Sequence, residues 1–209
     1  VLGENGVRNI KDWVRRGGTV IGIGGTTLSF MAAEKTGLLA IARENAAVDG
    51  DDKKEAEKPT NGRVDGRMLK DEADYQNAIQ ATTDSPDAVQ GILAKAMLDT
   101  DHWIAAGIDE TVNALVSGTT IFTPITIDNG RNPAVYLGPD DLVESGYAWE
   151  ENRLQLAYKP LLIVQNHGRG IAIGFTADPN YRAYMDGLNI LFLNAIFRGA
   201  AHANPQVTE

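Results

Sequence analysis

The chain contains no cysteine. That absence removes disulfides, thiolate nucleophiles and cysteine-ligated metal sites together. It assigns no compartment, because a secreted protein need not carry disulfides. Histidine is scarce: His102, His167 and His202 are the three, far apart in sequence. None stands in a His-x-x-Glu or His-Glu-x-x-His pair, so no metal site is spelled out. No apolar run approaches the roughly 20 residues of a membrane-spanning helix, and no secretory leader is visible. Cations are in deficit, with 19 Lys and Arg against 28 Asp and Glu, a net charge of -9. Phosphate-backbone binding needs a basic surface, so nucleic acid is not an expected partner.

What is present is a chain of 209 residues, 43% hydrophobic. That is enough for one domain over 1–209 with a sizeable core. It opens at Val1 in helical material, which reads as a piece of a longer protein or a processed product. One stretch breaks the globular pattern. Residues 46–86, containing "DGDDKKEAEKPTNGRVDGR", are highly charged and poor in apolar side chains. They are expected to form a solvated insertion, with "DEADYQNAIQ" as a short helix inside it.

Periodicity predicts the elements. Val7, Ile10 and Trp13 or Val14 recur at helical spacing over 6–16, and Gly17-Gly18 ends that helix. The run Thr19–Ile23 is unbroken and β-rich, as expected of a central parallel strand buried on both faces. A helix follows, running to about Arg43. Strands are expected at 92–98, 112–116, 120–126, 134–137, 155–159, 161–165 and 171–175, with a hairpin turn at 166–170. Asp178 is placed to cap a closing helix over 181–197, with Pro179 in its first turn. The order points to an α/β fold with a mixed sheet.

The candidate site centres on "GGTVIGIGGTTLSFM", residues 17–31: a strand, a tight turn at Gly24-Gly25, then a helix. It is not a dinucleotide fingerprint, because Thr27 stands where the third glycine belongs. It is not a Walker loop, because no Lys follows. A nucleophile elbow would place its nucleophile at Gly24, which has no side chain. Thr26 or Thr27 serves as a helix cap, or as a nucleophile if a base such as His102 or His167 is close. Asp128, Asn129 and Arg131 lie in a loop between apolar segments, where loops hold ligands or simply turn. Arg182 can pair with a nearby carboxylate.

Two segments carry a family resemblance. "GRGIAIGFTADPNYRAYMDGLNILFLNAIF" resembles the closing strand and helix of the class I glutamine amidotransferase-like domain. It is similar in particular to the version found C-terminal to M14-family zinc carboxypeptidases of bacteria. "WVRRGGTVIGIGGTTLSFM" resembles that domain's strand and elbow, and "GILAKAMLDTDHWIAAGI" and "DNGRNPAVYLG" fit its middle. The resemblance implies a flavodoxin-like three-layer α/β/α sandwich, its sheet mixed but mostly parallel and truncated at the N-terminal edge. The candidate ligand contacts, taken from the elbow and the loops, are Gly24, Gly25, Thr26, Asp128, Asn129, Arg131, Asp178 and Arg182. The family's elbow cysteine is missing, so glutaminase chemistry is excluded. The expected role is a non-catalytic accessory domain that packs on an upstream carboxypeptidase domain of the same polypeptide and modulates it or binds its substrate. The alternatives are an independent small-molecule or glycan binding module, and a hydrolase using Thr26 or Thr27 with a histidine. Zinc belongs to that upstream domain, and this chain is expected to hold no cofactor. The parent would be secreted or periplasmic. An open sheet edge would allow pairing with a second copy as a homodimer.

Overall fold

The structure is a computed structural model that describes residues 3–46, 71, 85–183 and 185–203. The charged insertion, and the short helix expected over 71–80, fall almost wholly outside the described residues.

The first helix, α1 (Glu4–Arg15), buries Val14 completely. It ends as its glycines dictate: the N–H of Gly17 donates to the Val14 carbonyl at 2.9 Å, and that of Gly18 to the Trp13 carbonyl at 3.1 Å. Strand β1 (Thr19–Ile23) passes directly into α2 (Gly24–Met31). Seven strands form one sheet: β1, β2 (Val89–Leu98), β3 (Thr111–Gly118), β4 (Gly130–Tyr136), β5 (Val143–Ser145), β6 (Pro160–His167) and β7 (Gly170–Phe175). The order is β1-β7-β6-β4-β2-β3, with β5 also paired to β2. A short helix α3 (Glu150–Leu156) precedes β6, and α4 (Leu188–His202) closes the described fold.

The flavodoxin-like expectation is corrected here. Among the described strands only β1 and β7 run parallel; the other ladders are antiparallel. The sheet is mixed and curls into a half-barrel. The reason lies in the connections. Parallel neighbours need a crossover of a dozen or more residues, usually a helix, whereas antiparallel neighbours need only a turn. From β2 to β7 the sole α-helix is the seven-residue α3. Strands that follow one another so closely pair antiparallel.

Other expectations shift for local reasons. Among the described strands β1 lies at the edge of the sheet with β7 as its one partner, not at the centre. α2 stops at Met31, where the chain turns and the N–H of Leu39 folds back onto the Met31 carbonyl at 2.8 Å. Residues 120–126 form no strand and contribute one bridge, Arg43 to Phe122. The segment expected as a strand at 155–159 begins inside α3. The closing helix starts at Leu188, not Tyr181, because Gly187 turns the chain at φ 84°. Asp178 therefore caps a local turn, its Oδ1 accepting from the Asn180 N–H at 2.9 Å.

Strand alternation sorts the core into two faces. Ile171, Ile173 and Phe175 of β7 point into the larger cluster with Leu188, Leu191 and Ala195 of α4. Ala172 points the other way, to Val14 of α1 and to Leu28 and Met31 of α2.

Candidate functional site

The elbow is built by backbone. Ile23 is still extended, at φ -126° and ψ 128°, and α2 begins at the next residue. Gly24 makes that corner at φ +76°, where a side chain is strained. No side chain caps α2, so the expected capping role of Thr26 or Thr27 does not hold. Both sit inside the first turn and are exposed. A Cβ on Gly25 would come within 2.7 Å of Thr120 Cγ2, so the loop after β3 closes directly over the glycine.

A cleft of about 230 Å³ opens beside Gly25. Ser117 and Thr120 form one wall, and Tyr136, Lys159, Thr176 and Asp178 another, with Tyr181 at its edge. Lys159 Nζ donates to Glu44 Oε1 at 2.7 Å. The Thr176 hydroxyl donates to the Pro160 carbonyl at 3.0 Å, with the Leu161 carbonyl at 3.3 Å. Burial pushes the Tyr136 phenol well above its ordinary range, against the opposing effect of Thr176. The phenol is therefore a neutral hydrogen-bonding group at physiological pH.

Sheet register separates the expected site residues into two sets. Ile23 lies beside Phe175, Leu162 opposite Phe175, and Val135 opposite Pro160. These ends of β1, β7, β6 and β4 share the elbow end of the sheet. Gly24, Gly25, Thr26, Thr27 and Asp178 belong there. Arg182 follows closely; its guanidinium lies 5.2 Å from the Tyr181 ring centroid.

β2 runs away from the elbow and ends with Leu98 opposite Ala134. His102, the 127–131 loop and the β6–β7 turn all lie at that far end. The five steps from Gly170 to Phe175 span about 16 Å. There His102, Asp128, Asn129, Arg131 and Asn166 line a second cavity of about 420 Å³. His102 Nδ1 accepts from the Ile104 N–H at 3.3 Å. Burial lowers its pKa, opposed by Asp99 and assisted by His202 and Arg131. Arg131 Nη1 donates to the Ile127 and Gly130 carbonyls at 2.7 and 2.8 Å, so it holds its own loop. The Asp128 carboxyl is lowered by the Thr126 hydroxyl and by its own backbone N–H. His202 stacks on Trp103 with centroids 4.4 Å apart. His167 Nε2 lies 2.6 Å from the Leu38 carbonyl. No histidine therefore shares an end of the sheet with Thr26 or Thr27.

Sequence reasoning missed Tyr136, Lys159, Thr176, Ser117 and Thr120. They come from four separate segments, and no local motif marks them. Among the described residues no group of three His, Cys, Asp or Glu side chains could hold a metal. No described helix is long and apolar enough to cross a membrane.

No family model matches the chain, and no curated protein matches it. Among solved structures it is similar to a cytoplasmic protein of Salmonella typhimurium, at 14% identity and a TM-score of 0.47 over 99% of this chain. A β-galactosidase from Bacillus circulans sp. alkalophilus is similar at 11% identity and a TM-score of 0.44 over 98% of this chain. The chain spans 63% of the length of the first and 22% of the second. Likeness at this level assigns no function.

Proposed function

We propose that this chain is a non-catalytic accessory domain that binds a small neutral polar ligand in the elbow cleft. One observation carries the reading. The corner residue, where an elbow enzyme presents its nucleophile, is Gly24, in a left-handed conformation with no side chain. The cleft beside it is rimmed by hydroxyls, with Asp178 and the Lys159–Glu44 pair as its charges. Such a rim suits a neutral ligand with many hydrogen-bonding groups: a sugar ring or a single peptide unit. At about 230 Å³ the cleft is smaller than the roughly 300–1,000 Å³ of drug-sized sites, which fits one unit.

A hydrolase built on Thr26 or Thr27 needs a base within hydrogen-bond reach. All three histidines lie near the other end of the sheet, which weighs against that reading. The resemblance to the amidotransferase-like domain of zinc carboxypeptidases supplies the partner: an upstream peptidase domain of the same polypeptide, with its own zinc. The mostly antiparallel sheet departs from that family's sheet, so the binding reading rests on the elbow alone.

The test is ligand-observed NMR of this chain against monosaccharides, N-acetylated amino sugars and dipeptides. Saturable binding that Gly25→Val abolishes, with no hydrolysis of the ligand, is the expected result. Binding indifferent to Gly25→Val, or release of a hydrolysis product, overturns it.

A further inference from the structure

A third cavity lies away from the elbow, on the face of the sheet covered by α1 and α2. It measures about 550 Å³, within the range of sites that hold small organic ligands. Val7 and Phe30 give it an apolar lining; Arg8, Lys11, Arg15 and Lys35 surround them. Its only acids among the described residues are Glu4 and Asp12. In a chain of net charge -9 this is a local excess of positive charge.

Two of the cations are already occupied. Arg8 Nη2 donates to Asn5 Oδ1 at 2.8 Å, and Arg15 lies 3.8 Å from Asp12. The backbone N–H of Lys35 donates to the Ala32 carbonyl at 3.1 Å, but neither the Lys11 nor the Lys35 ammonium has a hydrogen bond or ion pair to a described residue. Lys11 is half-buried, and its Nζ reaches to 3.7 Å from where a Cβ on Gly37 would sit. It thus bridges from α1 to the turn after α2, which also carries Lys35. Two unpaired ammonium groups beside an apolar lining are complementary to one kind of molecule.

We propose that this groove binds an amphipathic organic anion, an aliphatic or aromatic body carrying a single carboxylate. The apolar body covers Val7 and Phe30 and leaves water. The carboxylate meets the Lys11 and Lys35 ammonium groups, which have no competing partner among the described residues. The site is independent of the elbow cleft and of the ligand assigned to it.

The probe is a series of straight-chain carboxylates from hexanoate to decanoate, titrated calorimetrically into the full chain at low salt, with decanol as the uncharged control. Affinity is expected to rise about fourfold per added methylene, the factor for about 0.8 kcal/mol per buried CH₂. Decanol is expected to bind about tenfold more weakly than decanoate, the factor for about 1.4 kcal/mol from two exposed ion pairs together. The variant Lys11→Glu/Lys35→Glu is expected to lose at least about tenfold in decanoate affinity while melting normally. A melting loss would be resolved by the milder pair Lys11→Gln/Lys35→Gln, which removes the charges without reversing them. No decanoate binding, equal binding of decanol, or full binding by a folded charge variant each overturns the proposal. Binding of an acidic peptide without decanoate overturns it as well.

Discussion

Lys159 and Glu44 stand 115 positions apart in the chain and meet at 2.7 Å at the elbow cleft. Lys159 follows α3, and Glu44 follows the single bridge from Arg43 to Phe122. The pair thus joins the segment after α2 to the start of β6. Each side chain is about one quarter exposed, at 25% and 24%. Water screens such a pair only in part, so its coupling lies at the upper end of the roughly 0–1 kcal/mol of a surface bridge. A double-mutant cycle with Lys159→Met and Glu44→Gln, followed by urea unfolding, is expected to give a coupling of about 1 kcal/mol. A coupling of zero would mean the contact does not fasten the cleft.

Tyr136 makes the cleft wall sensitive to alkali. Burial holds its phenol above the ordinary value of 10.0, the Thr176 hydroxyl opposing. The unfolded chain releases that proton near pH 10 while the folded chain keeps it. Stability from this group is therefore complete below pH 10 and falls as pH rises above it, at about 1.4 kcal/mol per pH unit. Urea midpoints at pH 9, 10 and 11 are expected to fall less steeply in Tyr136→Phe than in the parent chain. Equal slopes would place the phenol in contact with water.

Sequence reasoning reached some of this and missed the rest for identifiable reasons. The β6–β7 hairpin was legible because Asn166 to Gly170 is turn chemistry between two apolar runs. β1 and the start of α2 were legible from a β-branched run followed by paired glycines. The direction of pairing was not, because an unbroken apolar strand looks alike whether its partners run parallel or antiparallel. α3 was misread because Leu156-Ala157-Tyr158 is a short apolar run between Gln155 and Lys159, and a run that short does not distinguish a strand from a helix end. In the helix, Leu156 is buried and Leu154 is 59% exposed, a pattern seen only with the flanking turn included. The site suffered similarly. His102, Asp128 and Arg131 share one cavity as loop residues, but register puts them at the opposite end from the glycines. The cleft wall of Tyr136, Lys159 and Thr176 is assembled by sheet order, which no short spacing encodes.

His102 gives the acid side of the pH profile. Burial lowers its pKa from 6.5, with Asp99 opposing. Below pH 6.5 the unfolded chain takes up a proton that the folded chain resists. Stability from this residue is complete above pH 6.5 and is lost as pH falls from there toward the lowered folded value, by less than about 1.4 kcal/mol per pH unit. His102→Asn keeps an acceptor for the Ile104 N–H and removes the titration. Denaturant midpoints at pH 7.5 and 5.5 are expected to move closer together in this variant. If the gap between them is unchanged, the ring is solvated in both states.

The elbow itself can be tested without any ligand. A Cβ on Gly24 would meet nothing within 4 Å, so Gly24→Ala introduces no clash. Its cost is conformational: the residue sits at φ +76°, where an L side chain costs about 1–2 kcal/mol. Urea unfolding of Gly24→Ala is expected to show a loss of about that size. Gly24→Ser should lose a similar amount and gain no esterase activity, because no histidine shares this end of the sheet. A stable Gly24→Ala would mean the corner relaxes to an ordinary conformation when a side chain is added. A hydrolytically active Gly24→Ser would mean a base other than histidine serves the corner, and the cleft would then be an enzyme site lacking only its nucleophile.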